Sequence, residues 1–267
     1  MNRIAARFAA LRAANRKALV PFITAGDPSK EATVAIMHAL VDAGADLLEL
    51  VVPFSDPMAD GPVIQRSSER ALARGVDTDY VFDCVREFRH RDHDTPVVLM
   101  GYLNPVEMRG DDRYALEAYA AGVDGVLLVD LPPEEAQPVR AAFNAEELVL
   151  ISLAAPTTSA ARLARLARES EGYLYYVSFA GVTGADNLDT ADTLAKASGL
   201  RAQANVPVLI GFGIKDAASA LAVAPAGDGV VVGSALVETL ADAASPEDAA
   251  ARAGAFLAPL RAALDGK

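Results

Sequence analysis

Residues 47–65 read Leu47-Leu48-Glu49-Leu50-Val51-Val52-Pro53-Phe54-Ser55-Asp56-Pro57-Met58-Ala59-Asp60-Gly61-Pro62-Val63-Ile64-Gln65. An apolar run of strand length contains one carboxylate, Glu49, and ends at Pro53 in a loop that holds two more, Asp56 and Asp60. Burying an ionised group in an apolar strand costs several kcal/mol unless the group is paired or neutralised. Glu49 is therefore a candidate functional residue. In the alternative interpretation, Glu49 is salt-bridged structure and the two aspartates form turns.

The two environments predict different protonation states for Glu49 and Asp60. Burial raises the pKa of a carboxyl, so a fraction of Glu49 is expected to keep its proton near neutral pH. Asp60 lies in a loop next to Gly61 and between prolines, where we expect it to be better solvated and ionised. The segment thus places a candidate acid beside a candidate base.

Short apolar runs typical of strands recur along the whole chain. They begin near Ala18, Ala45, Pro96, Gly125, Leu148, Gly172, Pro207 and Gly229. Nearly continuous apolar runs indicate strands that are covered on both faces, as in parallel sheets. Helical patterns separate them, at residues 29–43, 62–90, 106–121, 133–144, 158–170, 188–203, 215–224 and 246–264.

This alternation predicts an α/β fold, a (β/α)₈ TIM barrel, with an extra amphipathic helix at the start that contains Ile4, Phe8 and Leu11. Residues 1–267 are expected to form a single domain because no linker divides them. A doubly wound open sheet is the alternative. It would carry a glycine fingerprint after its first strand, where this chain has Thr24-Ala25-Gly26-Asp27-Pro28.

Composition narrows the classes of function. The formal net charge of -12 argues against a nucleic-acid surface, which needs clustered Lys and Arg. One cysteine excludes a disulfide framework, and Cys84 lies in a helical pattern that indicates a buried, unreactive thiol. No apolar run reaches the roughly 18 residues that span a bilayer. We expect a soluble protein in a reducing, cytoplasmic setting, without membrane or nucleic-acid partners.

Glycine turns follow the last predicted strands. They are Gly181-Val182-Thr183-Gly184, Gly211-Phe212-Gly213-Ile214 and Gly233-Ser234, the last of which opens a short helix. Glycine lets a ligand approach the backbone closely, and free N–H groups attract anions. Loops after the seventh and eighth strands are the usual phosphate site of this barrel. The sequence therefore predicts a small phosphorylated substrate.

Other catalytic groups are poorly placed. The five lysines (Lys17, Lys30, Lys196, Lys215 and Lys267) fall in helices, loops or the tail, which argues against a Schiff base. His38 lies in a helix, and His90 and His93 lie in a charged run, so no metal site is expected. Carboxylate acid–base chemistry remains, and for carbon–carbon cleavage the substrate must itself accept the electrons.

Several segments, spread over most of the chain, carry a resemblance. They are Pro21-Phe22-Ile23-Thr24-Ala25-Gly26-Asp27-Pro28, Leu48-Glu49-Leu50, Pro53-Phe54-Ser55-Asp56-Pro57, Ala59-Asp60-Gly61-Pro62, Tyr102-Leu103-Asn104-Pro105 and the first two glycine turns. In these segments and their order the chain resembles the tryptophan synthase alpha chain family. The resemblance implies a lyase that splits 1-C-(indol-3-yl)glycerol 3-phosphate into indole and D-glyceraldehyde 3-phosphate. It also implies an α₂β₂ heterotetramer, in which indole passes to a beta chain that holds pyridoxal phosphate, with no cofactor in this chain.

The resemblance also implies roles for individual residues. Glu49 corresponds to the general acid and base, and Asp60 to the carboxylate that stabilises the indole N–H. Thr183 is expected to meet Asp60 when two loops close, and Asp56 to face the beta chain. The remaining site residues are Tyr175 lining the site, Phe22, Met100, Leu127 and Phe212 around the indole, and Gly184, Gly213, Gly233 and Ser234 around the phosphate.

Two positions depart from the family pattern as we know it. Val51 stands where many members have glycine and could crowd Glu49, and Phe179-Ala180 stands where some have Arg-Ser. Two alternatives to the alpha subunit are therefore kept. One is an indole-releasing lyase that works alone, and the other is a non-catalytic barrel that serves as a regulatory or structural partner.

Overall fold

Eight parallel strands close into a barrel in the computed structural model, which describes residues 2–177, 190–211 and 213–266. Each strand pairs with its neighbours in chain order, and β1 pairs with β8. The strands are β1 Ala18–Thr24, β2 Leu48–Val51, β3 Val97–Gly101, β4 Gly125–Leu128, β5 Val149–Ala154, β6 Leu174–Val177, β7 Val208–Gly211 and β8 Gly229–Val232. The TIM-barrel prediction is confirmed, and the open doubly wound sheet is excluded.

Helices follow the strands over the described part of the chain. They are α1 Arg3–Ala13, α2 Thr33–Asp42, α3 Pro62–Ala73, α4 Thr78–Arg89, α5 Leu103–Arg109, α6 Asp111–Ala121, α7 Gln137–Ala145, α8 Ala160–Glu169, α9 Thr190–Gln203, α10 Ala217–Val223, α11 Ser234–Leu240 and α12 Pro246–Leu264. The patterns predicted over 62–90 and 106–121 each contain two helices. Gly75 (φ +71°) and Gly110 (φ +86°) separate them, because a left-handed backbone ends a helix.

The strands separate two apolar layers. In β2, Leu48 and Leu50 pack against the surrounding helices, whereas Leu47 and Val51 belong to the cluster inside the barrel. Side chains alternate along a strand, so Glu49 lies on the inward face. A side chain must face the interior of the barrel to take part in a site there, and Glu49 meets this requirement.

Helix α1 closes the barrel at the amino ends of the strands. Ile4, Phe8 and Leu11 are buried in the interior cluster, as the sequence predicted. The ring of Phe8 lies 6.0 Å from that of Tyr173, between centroids. The carboxyl ends of the strands, at the opposite end, are left for a site. None of the helices in the described segments is both long and apolar enough for a bilayer span.

Three strands start directly or shortly after an aspartate that accepts a backbone N–H from the preceding strand. Asp46 accepts from Leu19, Asp124 from Val97 and Asp228 from Val208, at 3.0, 2.9 and 2.9 Å. Each aspartate is also paired with an arginine, namely Arg261, Arg89 and Arg201 respectively. These ion pairs fix the base of the barrel.

Candidate active site

A cavity of about 440 Å³ opens at the carboxyl ends of the strands. Its wall is apolar on the side of Phe22, Met100, Val129 and Leu153, and carries glycines where β7 and β8 end. Such a cavity, with a few polar groups at one end, is typical of a site for a small ligand.

The residues predicted from the sequence fall into three groups. Those that line the cavity are Phe22, Asp60, Met100, Tyr175, Gly213, Gly233 and Ser234. Glu49 and Leu127 are fully buried and do not belong to its lining, and Asp56 is exposed on the loop after β2. Thr183, Gly184 and Phe212, like Phe179-Ala180, lie outside the described residues.

Glu49 sits immediately below the cavity. It is the register partner of Phe22 across β1 and β2, and Phe22 lines the cavity. The hydroxyl of Tyr173 donates a 2.6 Å hydrogen bond to Oε1 of Glu49. Its Oε2 atom has no hydrogen-bond partner among the described groups. Val51, next on the same face, is buried in the interior cluster and does not reach the cavity lining.

The environment of Glu49 favours its neutral form. Burial raises the pKa of Glu49 to about 7, no cationic side chain of the described residues pairs with it, and the Tyr173 hydroxyl counteracts the shift only in part. Half of the molecules then carry the proton near neutral pH. The predicted proton donor therefore has the protonation state that it needs.

Asp60 is held at the cavity rim by the neighbouring strand. The Tyr102 hydroxyl donates to Oδ2 of Asp60 at 3.1 Å and accepts the backbone N–H of Ala59 at 3.0 Å. Phe54 stacks on the Tyr102 ring with a centroid distance of 5.0 Å. The loop after β2 is thus fixed to the end of β3.

Asp60 is more exposed than Glu49, as predicted, but it is not an ordinary surface carboxylate. Burial raises the pKa of Asp60 to about 6, and the hydrogen bond from Tyr102 opposes the shift. Asp60 is still mostly ionised at pH 7 because its pKa lies about one unit below that pH. The two carboxyls differ in the direction that an acid and a base require.

Two glycines at the other end of the cavity lie where a side chain would collide with the aromatic wall. A Cβ atom on Gly211 would lie 2.1 Å from the Tyr175 hydroxyl, and one on Gly233 would lie 3.0 Å from the Phe22 ring. Gly213 adopts φ +50°, which most residues avoid. At Gly211 and Gly233 the missing side chain lets the aromatic wall approach the backbone closely, and Gly213 is exposed at the rim of the cavity.

Sequence analysis missed several groups at this site. Tyr173 and Tyr102 touch the two carboxyls from beside distant strands, and neither was assigned a role, although Tyr102 belongs to a segment that carries the family resemblance. Val129 lines the cavity, two residues beyond Leu127 on the same face of the strand. Extending the inward alternation one residue beyond the end of β4 would have found it. Lys215 also lines the cavity, although it had been set aside with the other lysines.

Other chemistries receive no support from the described residues. Burial raises the pKa of the Cys84 thiol to about 11, as expected for an unreactive cysteine. Within these residues, no group of three His, Cys, Asp or Glu side chains is arranged to hold a metal ion.

Comparison with known proteins identifies the family. A model of the family "Tryptophan synthase alpha chain" matches residues 8–264. The chain is 65% identical to the tryptophan synthase alpha chain of Xylella fastidiosa (strain M12) over 265 residues, which cover 99% of both chains. It is 66% identical to that of Xanthomonas euvesicatoria pv. vesicatoria over 270 residues, with 100% of both chains covered. The chain belongs to the tryptophan synthase alpha chain family.

Solved structures agree with this assignment. Tryptophan synthase subunit alpha from Legionella pneumophila str. Paris superposes with a TM-score of 0.93 at 47% identity, with full coverage of both chains. A chain of the aminoacrylate-bound form of tryptophan synthase from M. tuberculosis superposes with a TM-score of 0.86 at 34% identity, covering 99% of this chain and 100% of that one. Members of the family cleave indole-3-glycerol phosphate to indole, and this chain is a lyase of that kind, in tryptophan biosynthesis.

Proposed function

We propose that Glu49 is the general acid and base of this cleavage and that Asp60 stabilises the positive charge on the indole nitrogen. One observation carries the proposal. A buried carboxyl with a pKa of about 7, which pairs with no cation in the described part of the chain, lies under a cavity with aromatic and apolar walls. Such a group can deliver a proton to a ring carbon at neutral pH.

The residues act in sequence. Protonated Glu49 adds its proton to C3 of indole, and the ring nitrogen gains positive charge, which the Asp60 carboxylate stabilises. The Glu49 carboxylate then assists removal of the proton from the substrate hydroxyl as that carbon becomes an aldehyde. The carbon–carbon bond breaks, and its electron pair returns to the ring. For the first step the Glu49 side chain rotates away from Tyr173 toward the cavity.

The binding roles follow the two ends of the cavity. Phe22, Met100, Leu127 and Phe212 hold the indole, and Tyr175 orients the substrate. The phosphate accepts hydrogen bonds from the backbone at Gly184, Gly213, Gly233 and Ser234. The exposure of Gly213 and the position of Gly233 and Ser234 in the lining of the cavity support this placement.

The proposal extends to a partner. Asp56 and the 82% exposed Met58 form a surface next to the cavity that suits a beta chain carrying pyridoxal phosphate, in an α₂β₂ heterotetramer. Thr183 meets Asp60 when the loops close. Residues 1–267 act as one domain, and the enzyme works in the cytoplasm without a cofactor of its own.

A product assay tests this function against the two alternatives. Purified chain is mixed with indole-3-glycerol phosphate, with and without beta chain, and indole and glyceraldehyde 3-phosphate are quantified. We expect equal amounts of both products and an acceleration by the beta chain. Rapid product formation by this chain alone, with no increase when the beta chain is added, would indicate the lyase that works alone. No product under either condition would indicate a non-catalytic barrel.

A further inference from the structure

Lys215 lies at the glycine end of the cavity, two residues after Gly213. The charged residues in the described lining are Asp60, Glu238 and Lys215. Lys215 is the single cation of this set and faces the same cavity as two carboxylates. We propose that the Lys215 ammonium binds the phosphate of the substrate, an inference that rests on the phosphate position proposed above.

The backbone of Lys215 is anchored by the cap of helix α10. The hydroxyl of Ser219 accepts the backbone N–H groups of Lys215 and Asp216, each at 3.0 Å. The Asp216 carboxylate in turn accepts the backbone N–H of Ser219 at 2.8 Å. The cap therefore holds the start of the lysine side chain at the cavity rim and engages the neighbouring carboxylate.

Charge balance explains why such a cation is needed. A phosphate monoester carries between one and two negative charges near neutral pH, since its second pKa is about 6. Glu238, one turn after Ser234, places a carboxylate at the same end of the cavity. Backbone N–H groups at Gly213 and Gly233 supply only partial charges. The lysine ammonium supplies a full charge and binds phosphate as a point charge.

The solvent exposure of Lys215 limits how strongly its ammonium attracts the phosphate. Its side chain is solvent-accessible at the cavity rim, so salt and water screen the attraction. We expect Lys215→Gln to raise the KM for indole-3-glycerol phosphate about tenfold while kcat changes by less than about threefold. Lys215→Arg keeps the charge and is expected to restore most of the affinity.

Two matched probes separate the contribution of the phosphate to binding from that of the indole and its alkyl chain. Calorimetry measures the binding of indolepropanol phosphate and of indolepropanol, which lacks the phosphate, to wild type, Lys215→Gln and Lys215→Arg. Arg12→Gln, at the base of the barrel, controls for the loss of one positive charge. Lys215→Gln should weaken the phosphorylated probe about tenfold and leave the alcohol unchanged. Glu238→Gln should strengthen the binding of the phosphorylated probe.

The outcomes are distinguishable. Unchanged affinity of Lys215→Gln for the phosphorylated probe would overturn the role of Lys215, as would equal weakening of both probes or a similar loss in Arg12→Gln. Weaker binding by Glu238→Gln would also overturn it. Failure of the wild type to prefer the phosphorylated probe over the alcohol would instead refute the proposed phosphate position itself.

Discussion

The buried carboxylates at the two ends of the barrel have different side-chain partners. At the base, Asp46 lies 2.9 Å from Arg261 and Asp124 lies 2.8 Å from Arg89. Burial raises the pKa of both aspartates, while the arginines and backbone N–H groups act in the opposite direction. These carboxylates are compensated charges that join strands and helices.

At the catalytic end the side-chain partners are tyrosine hydroxyls. Glu49 accepts from Tyr173, and Asp60 accepts from Tyr102. A neutral hydroxyl offsets less of the burial penalty than a guanidinium does, so the pKa values rise to about 7 and 6. The comparison teaches that burial alone does not prepare a carboxyl for proton transfer. In the described residues, Asp46 and Asp124 are paired with arginines, whereas Glu49 and Asp60 have only hydroxyl partners, and this difference raises their pKa values toward neutral pH.

The largest expected effect is on catalysis at Glu49. Glu49→Gln keeps an oxygen for the Tyr173 hydrogen bond but loses the transferable proton. We expect indole release to fall about 10³- to 10⁴-fold while the fold survives. A spectrophotometric indole assay and circular dichroism measure the two properties. Glu87→Gln, on the exposed side of α4, is the control, and turnover above about a tenth of wild type in Glu49→Gln would refute the role.

Removing a cation at the base should instead destabilise the fold. Arg89→Met removes the 2.8 Å partner of Asp124 and leaves only the more exposed Arg3, at 3.0 Å, so the free energy of unfolding should drop by about 3 kcal/mol, at the low end for a buried ion pair. Arg201→Met, at the more exposed pair with Asp228, should cost less than about 1 kcal/mol. Urea denaturation measures both. Equal losses in the two variants would contradict the difference in burial.

The pH dependence of stability should carry the signature of Glu49. The native state of Glu49 binds its proton more tightly than the unfolded state, because its pKa is raised from 4.5 to about 7. This contribution is complete below pH 4.5 and is lost as pH rises through 7. Wild type should therefore lose about 2–3 kcal/mol relative to Glu49→Gln between pH 5 and pH 8. Parallel stability curves for the two proteins would contradict the raised pKa.

Asp60→Asn should reduce catalysis less than Glu49→Gln does. The amide still accepts the Tyr102 hydroxyl but cannot stabilise a positive charge on the indole nitrogen. We expect kcat to fall about 100-fold with little change in KM, because the charge develops only in the transition state. Steady-state kinetics tests this, and a loss confined to KM would indicate a role in ground-state binding.

The barrel could be predicted from the sequence because each strand appears as a short apolar run and each helix as a local periodic pattern of apolar residues. The sequence marked Glu49 as a candidate, but residues 47–51 are apolar on both sides of it, so only the structure shows that Glu49 faces the interior of the barrel. The partners of the carboxyls could not be predicted in this way. Tyr173 is 124 positions from Glu49, and Tyr102 is 42 from Asp60. Only the closed register of the strands brings such residues together.

Depth in the barrel was a second limit. Leu127 and Val129 share the inward face of the chain at β4, but the cavity begins at Val129. Two residues of a strand span about 6.6 Å, which is enough to move a side chain from the cavity wall into the core. Lys215 was missed for a related reason. Whether Lys215 lies at the cavity rim depends on the path of the loop that joins β7 to α10, and the residue type alone does not indicate that path.

Titration of the Glu49 carboxyl is the most direct test of the account. The chain is labelled with ¹³C at glutamate side-chain carboxyls, the Glu49 signal is assigned from its loss in Glu49→Gln, and its shift is followed by NMR across pH. The account predicts a midpoint near 7. A midpoint at the ordinary value of 4.5 or below would show that Glu49 is ionised at neutral pH, and would contradict its role as proton donor.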